Sequence, residues 1–559
     1  MHFKKDSFNI LIIVFFVLFL TLPFVNKAVH IDDSYFLYIA KQVAKDPLHP
    51  YSFNLEGSTL SGSATQLTDP PLVSYYMALI IKIFGQNENI LHVFFIIFPL
   101  AAALSMYYIS KKFTKRPLFA ALFLITSVVF VVMSHNLMFD IPFLAFFLLS
   151  VAFFVYGVDS NNKLMMILGA VFCGFAYLTK YTGIIVFPVL ALYAILRKKP
   201  KYILYLAVPA IIGLLWNLYT YLIYGISHNL QIFIWLLSSP NSFSSQAIIV
   251  RLITNMTYIG GATIFPLMLL YPFLRERVNK LAYFLIAAFS LVAAIVLYYV
   301  SANFSYRYST VQLILFAFFF SAGIFVFYLV TRHNFNMLAE LFKRKKIANM
   351  FNEKYADNIF LFSWIAILFL LNTFFAGGAA RYANNLIPPI AIFYFRIIDK
   401  YGFFDKNNLK NFVMLSVALS LVLSIFVAFA DYEFAKVYKD FANTVDKYKT
   451  DGNAIWFAGH SGFQYYMENE GYNILNISNN GLKKGDIAIK ARILLPRAFS
   501  PLLKERLELI DTISYNSKLP LKIHNPEARA GFYTFGGGFL PYSISNANLE
   551  DFYVYRVIK

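Results

Sequence analysis

Long apolar stretches alternate along the chain with short polar ones, and most of the apolar stretches approach the twenty or so residues that a helix needs to cross a bilayer. Thirteen can be read, at 8–25, 90–110, 118–134, 141–157, 164–179, 181–196, 202–224, 258–274, 281–300, 310–330, 359–376, 386–398 and 412–430. A further apolar stretch, 71–85, is short, opens on Pro70-Pro71 and carries Lys82, which predicts a helix lying in the interface or re-entering it. Beyond the last span, strand-like runs at 454–458, 486–489 and 552–558 are mixed with turn chemistry such as Gly536-Gly537-Gly538. The roughly 130 residues there are enough for one small α/β domain. With no internal repeat or low-complexity linker, the chain divides into a transmembrane domain, 1–430, and a soluble domain, 431–559.

Composition agrees with this pattern. Of the 559 residues 59% are hydrophobic and 19% aromatic, more apolar surface than a soluble domain can bury, so lipid must cover the excess. The net charge of +19 comes in short basic clusters between apolar runs, as anchoring to an anionic leaflet requires, and no contiguous basic face suits nucleic acid. The clusters also test the topology. With the N-terminus inside and 71–85 not crossing, Lys4-Lys5, Lys111-Lys112 with Lys115-Arg116, Arg197-Lys198-Lys199, Arg275 with Arg277, and Lys343-Arg344-Lys345-Lys346 all fall on the cytoplasmic side. If 71–85 crossed, all but the first would lie outside, against the positive-inside tendency. No small-residue cleavage site follows the first span, so it is expected to stay as an anchor. Thirteen spans then place the terminal domain outside. The single cysteine, Cys173, excludes an intramolecular disulfide and a Cys-based zinc site.

The outer side carries the unusual residues. Its first loop, 26–89, opens on His30-Ile31-Asp32-Asp33-Ser34-Tyr35, two adjacent carboxylates at the membrane surface, where ionised groups are costly and usually functional. From Asp33 onward Tyr35, Phe36, Ile39, Ala40 and Val43 share one face and Lys41, Gln42 and Lys45 another, predicting an amphipathic helix for which Asp32 or Asp33 could equally be an N-cap. Asp140, two residues before Pro142, has the same two readings. Lys180, Arg251, Arg307 in Tyr306-Arg307-Tyr308 and Arg381 in Ala380-Arg381-Tyr382 are isolated cations on a side otherwise nearly bare of them. Each is a phosphate ligand or a snorkelling side chain. Acids able to accept a proton, together with cations able to hold a departing phosphate, suit group transfer from a phosphate-linked donor. In the terminal domain, Gly459-His460-Ser461-Gly462-Phe463 has Phe where a hydrolase nucleophile elbow needs its second Gly, which leaves His460 a loop histidine. The sequence holds no P-loop, dinucleotide fingerprint or H-E-x-x-H, which favours a donor delivered within the membrane.

In order and context these elements resemble the C-type glycosyltransferases of family 39, the protein O-mannosyltransferase and lipid A aminoarabinose transferase group. An acid pair follows the first span (Asp32-Asp33), a Pro-Pro juxtamembrane helix follows in the same loop (Asp69-Pro70-Pro71-Leu72), and a second acid precedes a proline (Asp140-Ile141-Pro142). A T-K element (Thr179-Lys180) and an R-Y element (Arg381-Tyr382) ahead of Pro388-Pro389 complete the series. The stretch Gly459 to Tyr466 is similar to the terminal domain of bacterial members with unassigned substrates. The resemblance implies transfer of a hexose or pentose from a polyprenyl-phosphate carrier to a lipid, glycan or protein, with inversion at the anomeric carbon, on the outer face of a bacterial inner membrane. It places Asp32 at the catalytic base and Asp140 at the second acid of the outer cavity. Asp33 is expected to raise the proton affinity of Asp32, and Lys180, Arg307 and Arg381, with Tyr382, to hold the donor phosphate. One departure stands out: where the aminoarabinose transferases carry an acidic and a basic residue before the Pro pair, this chain has Thr68-Asp69. No cofactor is certain; a divalent metal stays open, because the group shares no single metal requirement and no ligand cluster is clean. Two readings compete. A flippase of lipid-linked saccharides should show repeats and mid-membrane acids, which the sequence lacks. A non-catalytic protein that binds the lipid carrier would tolerate loss of Asp32.

Overall fold

The computed structural model describes residues 2–559 apart from 56–61, 68, 239–242, 269–278, 302–306, 344–349, 375–377, 402–408, 451, 476–480, 494–498 and 500. The apolar runs fold as helices: α1 (His2–Thr21), α2 (Asp33–Lys45), α3 (Leu72–Phe84), α4 (Glu88–Phe95), α5 (Ile97–Phe113), α6 (Pro117–Ile125), α7 (Val128–Met133), α8 (Asp140–Ser160) and α9 (Lys163–Thr179). They continue as α10 (Val186–Leu196), α11 (Ala207–Tyr224), α12 (His228–Ser238), α13 (Ser245–Met268), α14 (Lys280–Val300), α15 (Thr310–Lys343), α16 (Glu353–Phe374), α17 (Ile387–Tyr401) and α18 (Leu409–Ala442). Among the described residues, eight helical stretches are long and apolar enough to cross a membrane: Asp6–Phe24, Glu88–Phe113, Asp140–Ser160, Pro200–Tyr224, Lys280–Val300, Thr310–Lys343, Tyr355–Phe374 and Leu409–Tyr448. The chain is a polytopic helical membrane protein.

Length alone does not give the predicted thirteen spans. The stretch 118–134 breaks into α6 and α7, because the Thr126 and Ser127 hydroxyls donate back to the carbonyls of Leu122 (2.8 Å) and Leu124 (2.8 Å) and the Ser127 oxygen caps α7. The Thr126 carbonyl freed by the break accepts from Ser424 Oγ at 2.6 Å, so the interruption is tolerated inside the bundle. Segments 164–179 and 181–196 form shorter apolar helices, Lys163–Thr179 and Tyr181–Leu196, and all of 386–398 but its first residue lies within the fifteen-residue α17. Helix α13 begins well before 258, and 269–274 lie outside the described residues, as do Thr68, Arg275, Arg277 and Arg344-Lys345-Lys346. Helices α13 and α15 cross at a pair of glycines: a Cβ on Gly260 would sit 1.7 Å from the Phe319 carbonyl oxygen, and one on Gly323 1.9 Å from that of Met256.

Helix α8 fixes the two ends of the bundle. Near its last turn Asp159 pairs with Lys112 (2.9 Å) and Arg197 (3.4 Å), and Asp357 pairs with Arg197 (2.6 Å) and Arg396 (3.0 Å). Two of the basic clusters therefore meet at this end. Asp140, the first residue of α8, lies at the other end, about 30 Å away at 1.5 Å per residue.

The terminal segment holds a five-stranded sheet of β3 (Ile455–Ala458), β4 (Asn473–Ile474), β5 (Ile487–Ala491), β6 (Leu507–Tyr515) and β11 (Glu550–Val557), in the order β4-β3-β5-β11-β6. Strands β4, β3 and β5 run parallel, while β11 pairs antiparallel with β5 and β6. Short ladders complete it: β7 (Leu521–Lys522) with β10 (Ser543–Ile544), and β8 (His524–Asn525) with β9 (Ala530–Gly531); β1 (Asn54–Leu55) and β2 (Gly62–Ser63) form another in the first loop. Helix α19 (Ser461–Asn469) packs on this sheet. The predicted boundary at 430 falls inside α18, which runs without interruption into the sheet's core, where Phe441 stacks on Phe552 with ring centroids 3.7 Å apart.

Candidate active site

The acid pair sits in a turn that its neighbours force. Ile31 has φ +48°, a left-handed conformation that a β-branched residue adopts only under constraint, at a cost of order 1–3 kcal/mol. The two carboxylates that follow take different partners. Asp33 is buried, accepts from the His30 backbone N–H (3.3 Å) and lies 3.2 Å from His30 Nδ1. On its other side His30 Nε2 lies 3.3 Å from Asp431 and 3.1 Å from Tyr533 Oη. Lys27, also buried, donates to Asp431 and to Asn136, and Tyr533 donates to both Asp431 oxygens at 2.8 Å. Asp32 stands outside this network. It occupies the N-cap position of α2 but makes no side-chain cap bond; its Oδ2 accepts from Arg381 Nη1 at 2.7 Å, and about a third of the side chain is exposed.

Around Arg381 the other predicted residues collect. Arg381 Nη1 lies 4.0 Å from Asp140 Oδ2, and Asp140 Oδ1 accepts from Lys180 Nζ at 2.9 Å. Asp140 begins α8 without being its N-cap, which is Phe139. Tyr382 lies under both cations, 5.6 Å from Lys180 Nζ and 5.3 Å from the Arg381 guanidinium. Burial opposes the Arg381 charge, but Tyr382, Asp32 and Asp140 outweigh it and hold its pKa well above the ordinary value. Arg381 Nε and Asp140 Oδ2 are buried without a hydrogen-bond partner, so the cluster retains a donor and an acceptor for an incoming group. Asp69, three residues before α3, joins the group electrostatically. Burial pushes its carboxyl up to about 6, with Lys180 opposing and Asp140 adding to the shift.

The structure thus gathers Asp32, Asp140, Lys180, Arg381 and Tyr382, and adds Asp69. Arg307 stays apart: it is exposed, and the adjoining Tyr308 Oη accepts from the Phe539 backbone N–H of the terminal domain at 3.2 Å. Arg251 donates to the Phe374 carbonyl at 3.1 Å, at the end of α16. His460 is a buried N-cap of α19. Sequence reasoning passed over Lys27, His30, Asp431 and Tyr533 as a network. Lys27 carried a signal, since it is another lone cation just after the first span. Two apolar grooves flank the start of α3. One, of about 410 Å³, is lined by Pro71, Leu72, Tyr75, Leu178, Trp216 and Tyr219; the other, of about 310 Å³, by Leu72, Tyr76, Phe98, Phe146 and Phe175 among others. The first groove reaches Leu178, two residues from Lys180, and Pro71, two from Asp69. Among the described residues no group of three or more His, Cys, Asp or Glu side chains is arranged to hold a metal ion.

A helical membrane bundle with a buried acid–cation cluster at one end, bordered by apolar grooves and closed by a sheet domain, defines the class. Residues 68–224, less than a third of the chain, match the family model for dolichyl-phosphate-mannose-protein mannosyltransferase. That stretch includes Asp69, Asp140 and Lys180; Asp32 and Arg381 lie outside it. Among solved structures, the oligosaccharyltransferase of Archaeoglobus fulgidus tethered to an acceptor peptide is similar at 12% identity and a TM-score of 0.46, over 83% of this chain and 63% of that one. ArnT from Cupriavidus metallidurans is similar at 14% identity and 0.39 in its apo state, and at 13% and 0.38 bound to undecaprenyl phosphate, over 87% of this chain and 93% of that one in each case. The chain spans less than two thirds of the oligosaccharyltransferase's length. No curated protein matches it.

Proposed function

We propose that the chain moves a sugar from a polyprenyl-phosphate carrier to an acceptor lipid, glycan or protein, with inversion at the anomeric carbon. The observation that carries this reading is the Asp32–Arg381 pair, formed across 349 positions of sequence beside Lys180, Asp140 and Asp69. Asp32 Oδ2 takes the proton of the acceptor's hydroxyl or amine as that atom attacks the anomeric carbon. The bond from that carbon to the phosphate oxygen breaks, and its electron pair leaves with the phosphate. Arg381 and Lys180 stabilise the growing charge through charge-assisted hydrogen bonds, for which Arg381 Nε is an unused donor. Asp140 holds Lys180 in reach. The apolar grooves beside α3 suit a polyprenyl chain whose phosphate ends near Lys180. A single displacement inverts the centre.

The two ends of α8 support a sidedness for this reading. In this reading the basic ends near Asp159 are cytoplasmic, in keeping with the positive-inside tendency, and Asp140 and the acid–cation cluster face outward, with the N-terminus inside and the terminal domain outside a bacterial inner membrane. The test has two arms. Purified protein with a polyprenyl-phosphate sugar should release polyprenyl phosphate only when acceptor is present. Mass spectrometry of surface glycans and glycoproteins, with and without the chain, should show one modification lost. Binding of the carrier without turnover, and an unchanged glycan profile, would overturn the proposal.

A further inference from the structure

The terminal domain touches the site at two places, and both contacts fall on main chain that carries the reacting groups. On one side Tyr466 Oη of α19 accepts from the Val29 backbone N–H at 2.8 Å, two residues before the left-handed Ile31. Gly462 packs on the same segment so closely that a Cβ would lie 2.4 Å from the Val29 carbonyl oxygen and 2.8 Å from His30 Cα. Ser461, which opens α19, is itself left-handed at φ +59°, so backbone on both sides of this contact is held away from its preferred conformation. On the other side the Phe532 carbonyl accepts from the Arg381 backbone N–H at 3.2 Å, and the next residue, Tyr533, reaches Asp431 and the His30 ring. A turn that a β-branched residue would not adopt alone needs its surroundings to hold it.

We infer that the terminal domain is a positioning device: Gly462 and Tyr466 hold the turn that aims Asp32, and Phe532 and Tyr533 hold the segment that aims Arg381, so that the pair meets only when the domain is seated. This rests on the reading of Asp32 and Arg381 as base and phosphate ligand. None of the four residues needs to touch a substrate, so their loss should act on turnover rather than on binding.

The experiment uses the full purified chain and three variants, Tyr466→Phe, Tyr533→Phe and Gly462→Ala, with Asp32→Asn in parallel. For each, donor KM and kcat are measured with a polyprenyl-phosphate sugar, and hydrogen–deuterium exchange is followed in 28–36 and 380–385. A displacement of about 1 Å in a reacting group can cost about 10² in rate. Gly462→Ala should therefore lower kcat by one to two orders of magnitude and the two Phe variants by about tenfold, with KM changed less than threefold and exchange faster in those two segments only. Tyr466→Phe and Tyr533→Phe keep their rings and guard against a Gly462→Ala chain that fails to fold. Unchanged kcat with Asp32→Asn inactive would overturn the positioning role alone. Unchanged kcat with Asp32→Asn active would overturn the base assignment with it. Lower kcat without faster exchange in 28–36 or 380–385 would also overturn it, because the domain would then act by another route.

Discussion

Replacing Asp32 by Asn separates chemistry from architecture. The change removes the base yet keeps an oxygen that can accept from Arg381 Nη1, now 2.7 Å from the carboxylate. With Asp32 about a third exposed, the loss of charge pairing should lower stability by less than about 1 kcal/mol. Loss of a general base typically removes about 10²–10⁴ in rate, or about 3–5 kcal/mol at the barrier, so the catalytic effect exceeds the structural one several-fold. Asp32→Ala sharpens the comparison. A side chain capping α2 would cost about 1 kcal/mol on truncation, but Asp32 makes no cap bond, so Asp32→Ala loses only the bond from Arg381, about 1–2 kcal/mol beyond Asp32→Asn, and should be equally inactive. The assay is release of polyprenyl phosphate by purified variants, with thermal unfolding in the same detergent. An active Asp32→Asn beside an unstable Asp32→Ala would show that the residue is a helix cap after all.

Arg381→Ala should reduce turnover by about 10²–10³, the usual loss for one donor to a developing charge, and unaltered kinetics in a folded variant would count against its role. For Asp69, burial raises the carboxyl pKa to about 6 from 3.8, so its contribution to stability is fully present below about pH 4 and is lost as pH rises through about 6; thermal unfolding of Asp69→Asn against pH should lack that fall. Lys27→Met leaves Asp431 buried and short of its main counter-charge, which should destabilise the fold by about 3–5 kcal/mol by thermal unfolding, while Lys27→Met with Asp431→Leu should cost less than the two single changes added.

What could be read in advance was whatever depends on neighbours in sequence. Apolar period and length gave the helices, and the scarcity of outer cations marked Lys180 and Arg381, because a charge at a helix end is conspicuous wherever the chain folds. The break at Thr126-Ser127 escaped, since two hydroxyls in an apolar run look the same whether they bond backward or simply face a neighbour. The acid pair was visible but its division was not: nothing in Ile31 announces a left-handed turn, so Asp33 looked like a second reactive acid when it faces His30. Asp69 stood out only as the start of the Pro-Pro element and as the residue standing where a basic one was expected. The contacts of Tyr533 and Phe532 join segments that no local pattern relates.

The join between His30 and Tyr533, 503 positions apart, also has a meaning in time. A ribosome adds about 5–20 residues per second, so roughly 25–100 s separate synthesis of the acid turn from synthesis of the tyrosine beneath it. During that interval the first helix already sits in the membrane with its carboxylates at the surface, while the segment that will hold Arg381 has not been made. Under the proposed reading, the nascent chain would therefore stay silent toward a lipid-linked donor until almost the whole polypeptide has been translated and its terminal domain has docked, and an unfinished chain stalled in the bilayer would not use up the donor.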